Sequence, residues 1–115
     1  MLTLTCWMIG DNPERTFSID ILVTKTVDSL KELIRAKNPS SLASVDVKDI
    51  DLWKVSFPVD DLEKELGDLD LSRHQRLSPS AQKLTKFFTD VEDNCLHIIA
   101  RAPSTLRQSS LWNHI

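Results

Sequence analysis

Two runs of alternating side chains at the start of the chain constrain the fold more than any other feature. In each run every second side chain is apolar: Leu2, Leu4, Cys6 and Met8 in the first, Phe17, Ile19, Ile21 and Val23 in the second. Because successive side chains of a strand point to opposite faces, both runs predict β-strands. The turn residues Gly10-Asp11-Asn12-Pro13 between them predict a hairpin.

The next segment, residues 26–39, has the spacing of a helix. Its apolar side chains recur at helical intervals, at Val27, Leu30, Leu33 and Ile34. Thr26 or Asp28 can cap its first turn, and Pro39 cannot continue it. The pattern predicts one amphipathic helix whose apolar stripe covers a face of the sheet.

The rest of the chain supplies two more strands and a section that is hard to assign. Residues 47–55 predict a third strand that stops before Pro58, and residues 60–66 a short helix. Residues 68–94 are mostly polar, with a helix start predicted at residues 78–81. Residues 95–101 are almost all apolar, which predicts a strand buried on both faces.

This order of elements predicts an α+β domain with the ubiquitin-like β-grasp arrangement. In that arrangement the last strand lies parallel beside the first, and one main helix crosses the mixed sheet. The predicted domain spans residues 1–103, and residues 104–115 are a tail or the start of a following segment. The predicted core is Leu4, Phe17, Ile19, Ile21, Leu30, Leu33, Ile34, Leu52 and Ile98.

Composition narrows the class of function. The 115 residues carry a net charge of -3, which argues against a dedicated nucleic-acid interface. No apolar run approaches the ~20 residues that cross a bilayer. The N-terminus lacks the form of a secretory signal, since no Lys or Arg precedes Arg15 and two Thr interrupt its apolar run. Export would then require an unconventional signal or one missing from this chain.

No motif for catalysis or for a cofactor is present. His74, His97 and His114 have no metal-ligand spacing relative to Cys or carboxylates, and no nucleophile or phosphate-loop motif occurs. We expect His97 to be a strand residue facing a polar edge. The sequence therefore predicts a protein that is not an enzyme and holds no metal or cofactor; the competing class is a small hydrolase or nucleotide-binding protein.

The two cysteines, Cys6 and Cys95, fall in predicted core strands. Their position favours small buried hydrophobes over a disulfide or a reactive thiol. In a β-grasp the first and last strands are parallel neighbours. Cys6 lies late in the first strand, and Cys95 lies at the start of the last one. Their Cα atoms should then be farther apart than the ~7 Å that a disulfide can span.

Charged and aromatic side chains indicate candidate surfaces. A run of carboxylates comprises Asp60, Asp61, Glu63, Glu65, Asp68 and Asp70. Basic residues are expected on or beside the outward side of the helix, at Lys31, Arg35 and Lys37. A solvated face is the favoured interpretation, and steering of a partner is the alternative. Three tryptophans are also candidates. Trp7 is expected to cover a second layer or an interface, and Trp53 either packs internally or is an exposed binding hot spot. Trp112 lies in the tail.

Several segments carry a family resemblance in order. They are the opening strand into Gly10, the strand at residues 17–21, the helix end at residues 29–39, the run at residues 49–55 and the closing run at residues 96–103. Together they resemble the N-terminal domain of Crinkler effectors. Within it Leu52, Trp53, Lys54 and Val55 stand where the family has Leu-Phe-Leu-Ala-Lys, and His97, Ile98, Ile99 and Pro103 resemble the closing His-Val-Leu-Val…Pro motif.

The resemblance implies a role in secretion and delivery into host cells, typically to the nucleus, with effector activity in a C-terminal domain. It implies a role in protein interaction, with host proteins as the partners. Binding of a second copy is a separate expectation, because a β-grasp leaves edge strands open for pairing. The helix also resembles that of ubiquitin, but the conjugating Gly-Gly is missing. The alternative function is an intracellular ubiquitin-like adaptor with no export role.

Overall fold

A computed structural model describes residues 1–42, 44–89 and 91–103. Its strands are β1 (Leu2–Met8), β2 (Phe17–Ile21), β3 (Asp51–Pro58), β4 (Gln75–Arg76) and β5 (Cys95–Arg101). Its helices are α1 (Val27–Lys37), α2 (Pro39–Leu42) and α3 (Leu62–Gly67). Short 3-10 turns lie at Val47–Asp49, Val59–Asp61, Leu71–Arg73 and Leu84–Lys86.

The five strands form one mixed sheet in the order β2-β1-β5-β3-β4. β1 and β2 form the predicted antiparallel hairpin, with Leu4 opposite Ile19. β5 lies between β1 and β3, parallel to the first and antiparallel to the second. The predicted α+β class and the pairing of the first strand with the last are therefore confirmed.

Helix α1 lies within the predicted segment, and Thr26 rather than Asp28 is its N-terminal cap. The Thr26 hydroxyl accepts the backbone N–H of Ser29, and the Asn38 side chain donates to the carbonyl of Ile34 at 2.7 Å. Two further N–H groups of the first turn, on Val27 and Asp28, donate to carbonyls in the segment after β4. This long-range cap satisfies donors that a helix start leaves free, and it ties that segment to the helix.

Two apolar clusters cover the two faces of the sheet. The larger one fills the space between the sheet and α1 and includes Leu4, Ile19, Ile21, Leu30, Ile34, Leu52 and Ile98 from the predicted core. The second lies on the opposite face and contains Trp7, Val55, Phe57, Leu62, Leu96 and Ile99. Partly buried leucines from α3 and the residues after it complete this second cluster. Trp7 therefore belongs to a second layer.

Two residues of the predicted core lie elsewhere. Leu33 is 38% exposed, because the buried stripe of α1 passes through Val27, Leu30, Lys31 and Ile34. Phe17 is half-buried and packs at the margin of the main core. The prediction that Lys31 lies on or beside the outward side of the helix is also wrong, since its side chain is buried under the segment after β4.

Three predicted boundaries also differ from the structure. β2 ends at Ile21, so Val23 lies beyond it, and β3 begins at Asp51 and continues through Pro58. Residues 78–81 start no helix. Their backbone instead approaches α1, where the carbonyl of Ser80 accepts the N–H of Asp28. Tertiary hydrogen bonding here overrides a local pattern that is typical of a helix start.

Candidate functional site

The structure brings together two of the five segments that carry the family resemblance, the run at residues 49–55 and the closing run at residues 96–103. Leu52, Trp53 and Lys54 of β3 lie directly opposite Ala100, Ile99 and Ile98 of β5. We call residues 51–55 and 98–101 the motif ladder. The two segments are about 45 residues apart in sequence, so only the sheet topology makes them neighbours.

Most side chains of the motif ladder lie inside the protein. Leu52, Ile98 and Ile99 are fully buried, and Trp53 and Val55 are nearly so. Trp7, Ile99 and Trp53 stand side by side across three strands. A partner that meets the folded domain therefore touches little of these side chains, and their direct effect is on packing.

An ionic cluster closes one end of the motif ladder. The carboxylate of Asp51 accepts hydrogen bonds from the guanidinium groups of Arg76 and Arg101, the latter at 3.0 Å. Arg101 also lies 4.8 Å from the centre of the Trp53 ring, in cation–π geometry. The cluster joins β3, β4 and β5, and it leaves the outer parts of both arginines in solvent.

Lys54 points inward rather than to a partner. Its ammonium group donates to the carbonyl oxygen of Phe87 and lies 5.3 Å from the centre of the Phe88 ring. A charged hydrogen bond and a cation–π contact together offset the loss of water around a half-buried lysine. Lys54 therefore anchors the segment before β5 against the sheet.

His97 of the closing motif is buried and bonds to backbone on both sides. Its Nδ1 accepts the N–H of Thr5 at 2.9 Å, and Nε2 lies 2.6 Å from the carbonyl oxygen of Glu92. Since Nδ1 accepts, a neutral ring must carry its proton on Nε2, which donates to Glu92. The imidazole thereby joins β1 to the segment before β5, next to the residues at which the pairing of β1 with β5 begins. The prediction that His97 faces a polar edge is wrong, because β5 lies between β1 and β3 inside the sheet. Pro103 lies half-buried just beyond this strand.

The buried Lys31 links α1 to the segment after β4. Its ammonium group donates to the hydroxyl of Ser80 at 3.0 Å. Burial lowers the pKa of Lys31, and the negative charge of Asp51 partly opposes that shift. The contact fixes the segment that also caps the helix.

The two cysteines are free, and both are buried in strands. Burial strongly raises the pKa of the Cys6 thiol. Because the thiolate is the reactive form, Cys6 is a poor nucleophile at neutral pH.

The acidic run is a mostly solvated face. Five of its six carboxylates are exposed and Glu65 is half-buried. Asp70 accepts hydrogen bonds from the hydroxyl and N–H of Ser72, which lower its pKa. Asp60 and Glu63 line an open cleft of about 560 Å³ opposite residues 12–14 and Thr16. In the described part of the chain no three His, Cys, Asp or Glu side chains are grouped as a metal site would require.

The remaining candidate residues lie apart from the motif ladder. His74 packs edge-on against Phe57, with 5.2 Å between ring centres. The predicted tail at residues 104–115, with Trp112 and His114, lies outside the described residues. Within residues 1–42, 44–89 and 91–103, no helix has the length and apolarity to cross a bilayer.

Comparison with known proteins agrees with the resemblance seen in the sequence. Residues 2–101 match the family described as the Crinkler effector protein N-terminal domain. The chain belongs to this family. It is also 32% identical over 111 residues to Crinkler effector protein 1 of Rhizophagus irregularis. That alignment covers 96% of this chain and 23% of the relative, so the chain spans about a quarter of the relative's length.

For a Crinkler N-terminal domain, the sequence indicated the segments of the ladder but not its ionic end. Asp51, Arg76 and Arg101 were missed as a group because they come from three strands. The strand register could have identified part of this group. Once β3 and β5 are paired, Asp51 lies opposite Arg101. Arg76 lies in a segment whose strand has only two residues, too short to predict from alternation.

Proposed function

We propose that this chain is the non-enzymatic, ubiquitin-like N-terminal domain of a secreted Crinkler effector, which serves delivery into host cells and protein interaction. The observation that carries the proposal is the motif ladder: the strands that hold the two family motifs pair within one sheet, and most of the motif side chains are buried. The family match covers almost all of the described fold. The strand order, with β5 between β1 and β3 and α1 across one face, supports the β-grasp assignment.

In this proposal the N-terminal domain acts as a folded unit. Buried side chains such as Leu52 and Trp53 give a host receptor little to contact while the domain is folded. Their part is to hold the sheet, and the outer surfaces carry recognition. The host nucleus is the proposed destination, and the effector activity belongs to a C-terminal domain of the whole protein.

A delivery assay distinguishes a folded domain from a linear signal. A reporter fused behind residues 1–103 is expressed in the producing organism during host contact, and reporter in host nuclei is counted. The variant Leu30→Ala/Ile34→Ala leaves residues 52–55 intact but removes two fully buried side chains. Its cost of about 4–10 kcal/mol approaches the whole stability of a small domain. We expect it to lose delivery.

The matched control is Val59→Ala, which truncates an exposed apolar side chain and should leave delivery unchanged. Delivery by the unfolded double variant would overturn the folded-unit proposal. Reporter that stays inside the producing cell with the unaltered domain would overturn delivery itself. That result would favour the intracellular adaptor.

A further inference from the structure

One edge of the sheet is open and has an apolar groove beside it. β2 is the outer strand, and within the described residues it pairs with β1 alone. The opposite edge strand, β4, has only two residues. An open strand edge presents unpaired N–H and C=O groups that another strand can bind.

The exposed apolar side chains of the described chain collect at this edge. Four large apolar residues are exposed, and three of them, Met1, Leu22 and Leu33, line the groove between β2 and α1. A second part of the same groove, of about 340 Å³, lies between residues 18–20 and the end of α1, beside the small side chain of Ala36. Contiguous exposed apolar surface of this kind marks interaction sites.

We propose that this surface binds a second copy of the same chain, with the two β2 strands paired antiparallel. Asp20 and Leu33 line both halves of the groove and mark its centre. A two-fold axis through that centre extends the sheet across the two copies and lays both α1 helices on the same face. The two Leu33 side chains then meet at the axis.

The shape of the groove suits such a symmetric contact. One half presents the protruding Leu22, which is 47% exposed. The other half offers the space beside Ala36. The two-fold axis brings the Leu22 half of each copy to the Ala36 half of the other. Leu22 of each copy therefore packs into the space beside Ala36 of its partner, and this contact occurs twice.

Charge also favours a second copy over a strongly charged peptide. Helix α1 begins with acidic Asp28 and ends with basic Arg35 and Lys37, so antiparallel helices juxtapose opposite signs. Within the groove, Lys37 lies in one half and Glu32 in the other. The axis brings Lys37 of one copy toward Glu32 of the second. Each half also carries both signs, so neither an acidic nor a basic peptide is selected.

The contact is small for a permanent dimer. A standard interface takes ~800 Å² from each partner, and a five-residue strand reaches that only if the helix contributes. We therefore expect reversible association with a dissociation constant on the order of 10 µM. This inference rests on the proposed interaction role, but it is tested on purified protein with no host present. Its failure is thus distinct from a failure of delivery.

The experiment is sedimentation analysis of the 115-residue chain over a concentration series. The axis already brings the two Asp20 carboxylates near each other. Leu33→Glu adds two more carboxylates there in place of an apolar contact, and it should raise the dissociation constant at least about tenfold. Val59→Glu adds the same charge to an apolar residue that is similarly exposed, at 40%, but away from the groove. It should leave the dissociation constant unchanged.

A charge exchange then tests the antiparallel register. Lys37→Glu alone and Glu32→Lys alone should each weaken the dimer about threefold, and the double variant should restore it. A monomer at every concentration would overturn the proposal and leave the groove for an extended peptide of another protein. A dimer indifferent to Leu33→Glu would show that a different surface associates.

Discussion

The guanidinium group of Arg101 lies 4.8 Å from the centre of the Trp53 ring, and the two residues stand on neighbouring strands. The same guanidinium donates to Asp51, so one side chain joins the ionic cluster to the buried aromatic. The cation shields the ring from water, while Trp7 and Ile99 extend the same row across the sheet. Trp53 is therefore placed to be a packing residue whose outer side is covered by charge.

The first prediction concerns this ring. Trp53→Ala removes a nearly buried indole and should lower the free energy of unfolding by about 3–5 kcal/mol. Trp53→Phe keeps an aromatic face under Arg101 and should cost no more than about 2 kcal/mol. Urea unfolding followed by circular dichroism measures both. Equal, small losses for the two variants would mean that the indole is not part of the core.

The second prediction separates two leucines on one helix. Leu30→Ala and Leu33→Ala remove the same atoms from α1, but Leu30 is fully buried and Leu33 is 38% exposed. We expect a loss of about 2–5 kcal/mol for the first and less than about 1 kcal/mol for the second. The pair is measured in the same denaturant series at monomer concentrations. A comparable loss of stability in Leu33→Ala would mean that Leu33 belongs to the core, as the sequence predicted.

Leu33 also shows why the sequence predicted the secondary structure and strand order better than it predicted which side chains are exposed. Alternation and helical spacing report which elements have an apolar side, and that was enough for the hairpin, α1 and β5. They do not report how far the stripe is rotated against the sheet. Leu33 and Lys31 lie at opposite margins of that stripe, and the segment after β4 covers the lysine and leaves the leucine exposed. That segment has no periodicity of its own, so the assignment of both residues required tertiary contacts.

The motif residues illustrate the same limit at the candidate site. The sequence predicted strands in residues 47–55 and 95–101, and β3 and β5 lie there, although β3 starts later and runs further than predicted. It left open whether Trp53 packs inside or is exposed to a partner. The answer depends on β5 lying between β1 and β3, which places Trp53 in a row with Ile99 and Trp7. Such a row depends on long-range register, which no local pattern contains.

The third prediction tests the hydrogen bonds of His97. His97→Leu leaves the N–H of Thr5 and the carbonyl of Glu92 without partners, at an expected cost of about 2–3 kcal/mol. His97→Asn can still present an acceptor near the position of Nδ1, so its loss should be smaller, about 1 kcal/mol. Hydrogen exchange of the Thr5 amide provides a local measurement beside global unfolding. Faster exchange in the leucine variant alone is expected; unchanged protection in both would contradict the assignment.

The fourth prediction is a dependence on alkaline pH. Burial lowers the folded pKa of Lys31 below its ordinary value of 10.5, so the unfolded chain binds the extra proton more readily. The charged side chain therefore costs stability below the lowered pKa. That cost disappears as the pH rises through the folded value toward the ordinary one. In Lys31→Met this rise in stability with pH should be absent, while Lys25→Met at an exposed site keeps it.

Both lysine variants are compared with the unaltered chain by thermal unfolding at a series of alkaline pH values. Subtraction of each curve from that of the unaltered protein removes the titration of all other groups. If Lys31→Met retains the full rise, the buried ammonium group is not its source. Loss of the rise in Lys25→Met as well would assign it to general surface charge.

The last prediction is the state of the two thiols. Cys6 of β1 stands opposite Ile98 of β5, and Cys95 lies three residues earlier in β5. At about 3.3 Å per residue this offset separates the two cysteines by roughly 10 Å along neighbouring strands, which is beyond the reach of a disulfide. We expect the unreduced protein to give two thiols per chain with Ellman's reagent in denaturant, and almost none while folded, because both side chains are buried. Cys6→Ala and Cys95→Ala should each give one thiol in denaturant. No thiols in the denatured, unreduced protein would mean that a disulfide forms and that the strand register places these residues wrongly.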